Sequence, residues 1–379
     1  MKKTLVWLFV LLSYLSLAEN SAVKPKGSGS AEDPYLVDRI ENLVWFGENS
    51  SQCADKHFKM TADINASETR GWNDAKGFVP LGHFNGTFDG GGHYISNLYI
   101  ASPTKDAALF TSLGKQAPRP FPFSTNSYEK TLESIRTDTC VKNLALLNCS
   151  ISGDETACGL AKSIDLARIS DVYVSGTLLS KKTLAGFAIT CSNSYIEGCS
   201  VDIFYQNRNC ASGGMFKRAE NVVIRNCLIL GKFQSCEESP EIEKLQPKKQ
   251  SYVKSYGGKP KPPKPMKKYD LVCVAGGNIR LINSLMLTKF PTPFIHKGRD
   301  INMGRDIGIF PGNAENSFYS REHLHIKNSF GQYPKACLNN DKLIKKETYK
   351  GWDFDTVWEI EDGVSFPKLR KLEKMLKRQ

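Results

Sequence analysis

VKNLAL from Val141, ISDVYV from Ile169, IEGCSV from Ile196 and IRNCLI from Ile224 superpose, and their third residues, Asn143, Asp171, Gly198 and Asn226, lie 28, 27 and 28 residues apart. A period between roughly 20 and 50 residues marks a chain of stacked units, none of which buries its apolar face alone. The same signature recurs at Ile95-Ser96-Asn97-Leu98, Leu281-Ile282-Asn283-Ser284 and Ile326-Lys327-Asn328-Ser329, at intervals of 46, 57 and 45 residues. Each longer interval holds a stretch of loop composition: APRPFPF at Ala117, a Lys/Pro tract, and Pro291 to Asp306. Alternation such as Val172-Tyr173-Val174, with dense Gly, Asn and Ser, favours short strands over helical pairs. Small-residue clusters at Gly159, Gly186, Gly213, Ala275 and Gly308 mark a second corner in each period. Seven such coils at about 4.8 Å each make a rod of roughly 34 Å before any cap is added.

Stacking turns each position of the repeat into a column. The residue before the anchor reads Ser96, Lys142, Ser170, Glu197, Arg225, Ile282 and Lys327, mostly polar and therefore outward, with Glu197 beside Arg225. The residue after it reads Leu98, Leu144, Val172, Cys199, Cys227, Ser284 and Ser329, small or apolar and therefore inward. Cys199 and Cys227 fit that column as buried thiols on adjacent coils, since cysteine is among the most buried residue types. An export signal argues for disulfides instead. The eleven cysteines form no CxxC pair, which leaves no zinc or thioredoxin-type motif, and the odd count leaves at least one unpaired.

The ends of the repeat region carry their own patterns. AEDPYLVDRIENLVWF at Ala31 holds Asp38 and Glu41 as a helix start and Gly47 as its stop, a short helix whose Leu43, Val44 and Phe46 could plug the open stack. Plugging matters because a bare strand edge invites pairing with another chain. At the other end Trp352, Phe354, Val357 and Trp358 are expected to cover the last coil, and Leu369 to Leu376 to form a basic helical tail.

These motifs resemble those of secreted bacterial proteins with GLUG-type repeats. The likeness rests on the stretch from Ala31 with HFKMTADIN at His57, on FVPLGHFNGTFDGGGHYISNLYI at Phe78, and on GWDFDTVWEIEDGVSFPKLR at Gly351. It implies an all-β, right-handed parallel β-helix with a short N-terminal capping helix and an aromatic C-terminal cap. The expected organisation is a signal peptide at 1–18, a leader at 19–30, one β-helix domain at 31–370 and a basic tail at 371–379. Insertions are expected near 115–138, 237–269 and 290–306.

The signal reading rests on the apolar run Leu5 to Leu17 behind Lys2 and Lys3, and it implies secretion to the extracellular space, the cell surface or the periplasm. That run is too short to span a bilayer comfortably, so no stable membrane span is expected. The net charge is +12. Pro247 to Lys268 holds eight Lys and no acid, and Lys368 to Gln379 holds six Lys/Arg against Glu373, so the remainder is nearly neutral. Such a distribution excludes a domain that reads nucleic acid with an ordered cationic face. The insertions containing the Lys/Pro tract and Pro291 to Asp306 should leave the rod side by side. Their cations and aromatics are the candidate binding residues: Lys248, Lys249, Tyr252, Lys254, Tyr256, Lys259, Lys261, Lys264, His296 and Arg299. They fit an acidic polysaccharide or another cell-surface polymer.

No catalytic, cofactor or metal site is assigned. Glycosidases need two carboxyls roughly 5 to 9.5 Å apart, and the fourth column after the anchor offers Asp202 alone. Asp300 and Asp306 with Arg299 and Arg305 are what a polysaccharide lyase or hydrolase would have to use, and they equally suit a surface turn. His323 and His325 share one face of an expected strand without a third ligand. Asp89 and His93 are better explained by the glycine turn between them, and Trp72, Trp45 and Tyr35 by packing. The favoured function is an adhesin-like, non-catalytic binding protein; the alternatives are a polysaccharide-active enzyme and a purely structural surface element.

Overall fold

The computed structural model describes residues 21–102, 106–115, 140–207, 211–233, 279–289, 313–323 and 336–378. The chain is a parallel β-helix, and among the described residues nineteen strands join edge to edge in one winding sheet. Nine of them stack in one face, from Tyr35–Val37 through His57–Met60 to Asn313–Glu315. Eight steps of about 4.8 Å give that face a length of roughly 38 Å. A second face follows the anchor corner, and a third is built from Leu81–Phe84, Phe110–Leu113, Ala161–Asp165 and the starts of Ala188–Glu197 and Phe216–Arg225. Thr156–Cys158, Thr183–Ala185 and Ala211–Gly213 close the coils with a small separate sheet.

The repeat signature works through backbone conformation. Asn143, Asp171, Gly198, Asn226 and Asn283 all turn the corner with φ between 48° and 62°. Asparagine, aspartate and glycine enter this left-handed region most easily, which is why the chain returns to them each period. The inward column behaves as expected over five coils and the outward column over four, the apolar Ile282 of the fifth being buried. Leu144, Val172, Cys199, Cys227 and Ser284 are buried, and the strands put Lys142, Ser170, Glu197, Arg225 and Ile282 in register. Glu197 stands opposite Arg225, and its carboxylate also lies 3.6 Å from Arg168.

Toward the ends, one expected anchor sits at another corner and one corner falls where none is expected. Asn97 does not stack on Asn143; Ser96 pairs with Leu147, which places Asn97 over Asn148. The Asn148 amide donates to Asn97 Oδ1 at 2.6 Å and the Asn97 amide to Asn65 Oδ1 at 3.1 Å. The register shift between Asp89 and His93 is the cause, because the Gly90-Gly91-Gly92 turn sits where the first anchor would be. A Cβ on Gly90 would meet the Asn143 carbonyl oxygen at 2.3 Å. At the far end Glu315 pairs with Ile282, so the corner after Asn283 is Asn316, with φ 44°. Lys327, Asn328 and Ser329 lie outside the described residues. Ser317 follows as the next buried residue of the inward column.

The N-terminal end is plugged as the sequence suggests. The helix Ile40–Glu48 buries Ile40, Leu43 and Phe46 and stacks Phe46 on Phe58, ring centres 4.3 Å apart. Phe84 and Phe110 meet the same ring edge-on. The helix start is not set by Asp38: the Asn42 side chain reaches back to accept the Asp38 and Arg39 N–H groups. Gly47 lies inside the helix, which ends at Asn49, whose N–H donates to the Trp45 carbonyl.

The aromatic C-terminal segment covers more than the last coil. Trp352 donates its indole N–H to the Asn316 carbonyl at 2.8 Å, over the last described anchor corner. The chain then runs back along the second face, where Leu343, Tyr349, Trp352, Trp358, Leu369, Leu372 and Met375 form one buried cluster with Ala145, Leu147, Tyr173, Leu228, Leu285 and Leu287. Its end is the helix Arg370–Leu376, with Leu372 and Met375 buried. The expected tail at 371–379 is thus, over its first residues, an ordered strap lying across the stack. Lys371 bonds Asp171 at 2.6 Å, and a Cβ at Gly92 would lie 3.4 Å from Arg378.

Candidate binding face

The expected binding residues Lys248, Lys249, Tyr252, Lys254, Tyr256, Lys259, Lys261, Lys264, His296 and Arg299 lie outside the described residues, as do Asp300, Arg305, Asp306 and His325. What the structure gives is the platform from which their segments depart. Leu228–Phe233 precedes one segment, and residues 285–289 precede the other. Lys232 and Lys289 form a parallel bridge, with the Lys289 N–H donating to the Gly231 carbonyl at 2.8 Å. Residues 233 and 289 therefore end on neighbouring coils at one edge. The Pro-rich insertion follows Phe110–Leu113 on a different face.

Beyond the ground covered by the strap, the second face carries an outward column that ends at the departure points of both insertions. Tyr99, Ser150, Thr177, Phe204, Lys232 and Lys289 follow one another in strict register, one residue per coil. The first four are half-buried and the two lysines exposed. The Arg70 guanidinium lies 4.6 Å from the centre of the Tyr99 ring. Alternation explains why these side chains face outward, since the adjoining Ile151, Leu178 and Ile203 are buried. Gly231, at φ 127°, permits the coil to carry on to Lys232, because a Cβ there would lie 2.3 Å from the Ile203 carbonyl oxygen. Among the described residues neither lysine has a carboxylate within ion-pair distance. Like charges directly opposite on paired strands cost roughly 0.2–1 kcal/mol, so the column ends in an uncompensated cationic pair.

Other polar clusters are satisfied internally. His93 Nδ1 lies 2.9 Å from Asp63, not on Asp89. Burial pushes the Asp89 carboxyl up, but hydrogen bonds from Asn143 and the Gly91 N–H, with Lys142 nearby, outweigh it and hold the group below the usual range. Asp106 takes hydrogen bonds from Thr156 and Lys162, which likewise outweigh burial. Both are corner supports. His323 sits in a turn against Phe366 instead of on a strand. Cys53, Cys149, Cys158, Cys191, Cys199, Cys227 and Cys337 are buried free thiols. Burial pushes Cys149 and Cys158 up to about 12, and Cys199 is raised further by its stacked neighbour Cys227. Trp45 packs on Tyr35, with the Lys24 ammonium 5.9 Å from its ring centre, and Trp72 packs on Phe78.

No family model matches the chain. Halomucin of Haloquadratum walsbyi (strain DSM 16790 / HBSQ001) is 30% identical over 177 residues, which is 44% of this chain and 2% of halomucin. The chain thus spans a very small part of that relative's length. A candidate immunoglobulin A1 protease from Bacteroides ovatus has a solved structure similar to this one, with a TM-score of 0.43 and 12% identity, covering 91% of this chain and 94% of that one.

Proposed function

We propose that the chain is a surface-associated β-helical binding protein that holds a glycan or another surface polymer without turning it over. Its rigid stack presents the inserted segments around residues 237–269 and 290–306 from one edge. The observation that carries this reading is the Lys232–Lys289 bridge, which brings the departure points of both insertions onto adjacent coils. Loops displayed on a rigid scaffold are where recognition is usually built, and eight lysines without an acid in Pro247 to Lys268 supply long-range attraction for an anionic polymer. The apolar run Leu5 to Leu17 supports export, and no described helix is long and apolar enough to cross a membrane.

A glycan array read at low and high ionic strength, with the full chain and with Pro247–Lys268 deleted, tests the proposal. Binding that weakens with salt and drops on deletion supports it. Unchanged binding after deletion overturns it, and reducing-sugar or unsaturated products from a bound glycan would replace it with the enzyme reading.

A further inference from the structure

The platform carries recognition chemistry of its own in the outward column that ends at Lys232 and Lys289. We infer that an acidic sugar polymer lies along this column, parallel to the stack axis, with a carboxylate between Lys232 and Lys289 and the adjoining sugar ring against Phe204. This rests on the binding reading but assigns the contact to residues of the stack, separate from the inserted segments.

Three observations converge. Lys232 and Lys289 are exposed, in register and without an acidic partner among the described residues. Two ammonium groups on adjacent coils repel one another when empty, and a carboxylate between them converts that repulsion into two charge-assisted hydrogen bonds. Phe204 is the next residue down the same column and is half-exposed on an outer face. An aromatic ring there offers a flat apolar surface to the C–H face of a sugar, while an inorganic anion would make no use of it. Below Phe204 stand the hydroxyls of Thr177 and Ser150, with no hydrogen-bond partner among the described residues, and then Tyr99. Cations, an aromatic and hydroxyls in one line at a spacing of about 4.8 Å match a linear chain of hydroxylated acidic rings. The column Ser175, Asp202, Leu230 and Leu287 lies between the track and the strap, with Asp202 exposed two residues before Phe204, and the column Ala101, Ser152, Leu179 and Gln206, half polar and half apolar, lies on the other side.

The experiment measures binding of a galacturonate oligomer by calorimetry at low ionic strength, with a neutral glucose oligomer as control. The proteins compared are the full chain, the Lys232→Ser/Lys289→Ser double variant, Phe204→Ser, and the Pro247–Lys268 deletion. The double variant should weaken galacturonate binding by about tenfold or more, the loss expected when strong charge-assisted contacts are removed. That difference should fade at high salt. Phe204→Ser should weaken binding at both ionic strengths. Galacturonate should raise the Tm of the full chain and leave that of the double variant unmoved, while the empty double variant melts no lower than the full chain because a repulsion has been removed.

Equal affinity of the full chain and the double variant overturns the inference, as does a full chain that does not bind galacturonate. If the lysine pair matters and the deletion does not, the column stands and the inserted segments lose their proposed role. If the deletion abolishes binding and the lysine pair is silent, the inserted segments stand and the column falls.

Discussion

Leu372→Ala should release the C-terminal helix from the flank of the stack while leaving the coils folded. Leu372 is 7% exposed and Met375 5%, and both sit in the cluster built on Tyr173, Leu228 and Leu285. Large-to-small changes at buried leucines cost about 2–5 kcal/mol, and the lower end applies at a strap on the outside of a solenoid, where neighbours can settle into the space. Seven residues of helix have almost no stability of their own in water, so what holds Arg370–Leu376 in place is this docking. A loss of about 2–3 kcal/mol multiplies the undocked population by roughly 30 to 150. Trypsin reads that population directly, because the helix and its end carry Arg370, Lys371, Lys374, Lys377 and Arg378 and cleavage requires local opening. Release of C-terminal peptides, followed by mass spectrometry at low protease concentration, should accelerate by that factor while far-ultraviolet circular dichroism stays unchanged. An unaltered release rate would refute the docking argument. Loss of the β spectrum would show instead that the strap and the coils are one cooperative unit.

Asn226→Gly should be close to neutral and Asn226→Val should cost about 1–2 kcal/mol in urea unfolding, since the corner sits at φ 52° and a β-branched residue resists it. Gly90→Ala should be far more damaging than either, because the Asn143 carbonyl stands 2.3 Å from the new methyl, and a large fall in Tm would register it. The buried thiols set the alkaline limit: with folded pKa values raised to about 12 at Cys149 and Cys158, the unfolded chain loses protons first as pH rises. Stability is therefore intact below an unfolded thiol pKa of about 8.5 and declines from there toward 12, and these cysteines should resist thiol reagents at pH 8 until the protein unfolds. Asp171→Asn keeps the corner conformation and removes the Lys371 ion pair, so its cost should be about 0–1 kcal/mol and disappear in high salt.

What could be read from the residues was whatever the backbone dictates locally. A left-handed corner selects Asn, Asp or Gly, so four anchors and their inward and outward neighbours stood out from spacing alone. Asn97 misled because Ile95-Ser96-Asn97-Leu98 has the same form as a true anchor; only the long-range register, shifted by three glycines, assigns it to the Asn148 corner. Asn316 was missed because Asn313-Ala314-Glu315 lacks the β-branched lead of its counterparts, whereas Ile326-Lys327 has it. The strap's position is a tertiary fact, yet a trace of it was legible. The column two residues past the anchor reads Ala145, Tyr173, Ser200, Leu228, Leu285 and Phe318, outward by alternation and too apolar to face water. The lysine pair escaped notice because Lys232 and Lys289 are 57 residues apart and only the completed coils set them side by side.

The strap also changes how such a molecule can evolve. An ordinary solenoid gains or loses turns by duplication at little cost, because each turn touches only its neighbours. Here the C-terminal segment spans from the Asn316 corner back to Gly92, so one extra turn between them would slide Lys371 about 4.8 Å past Asp171 and put Leu372 and Met375 out of step with their seats. The segment acts as a ruler, and the number of turns beneath it is a quantity that selection can hold constant.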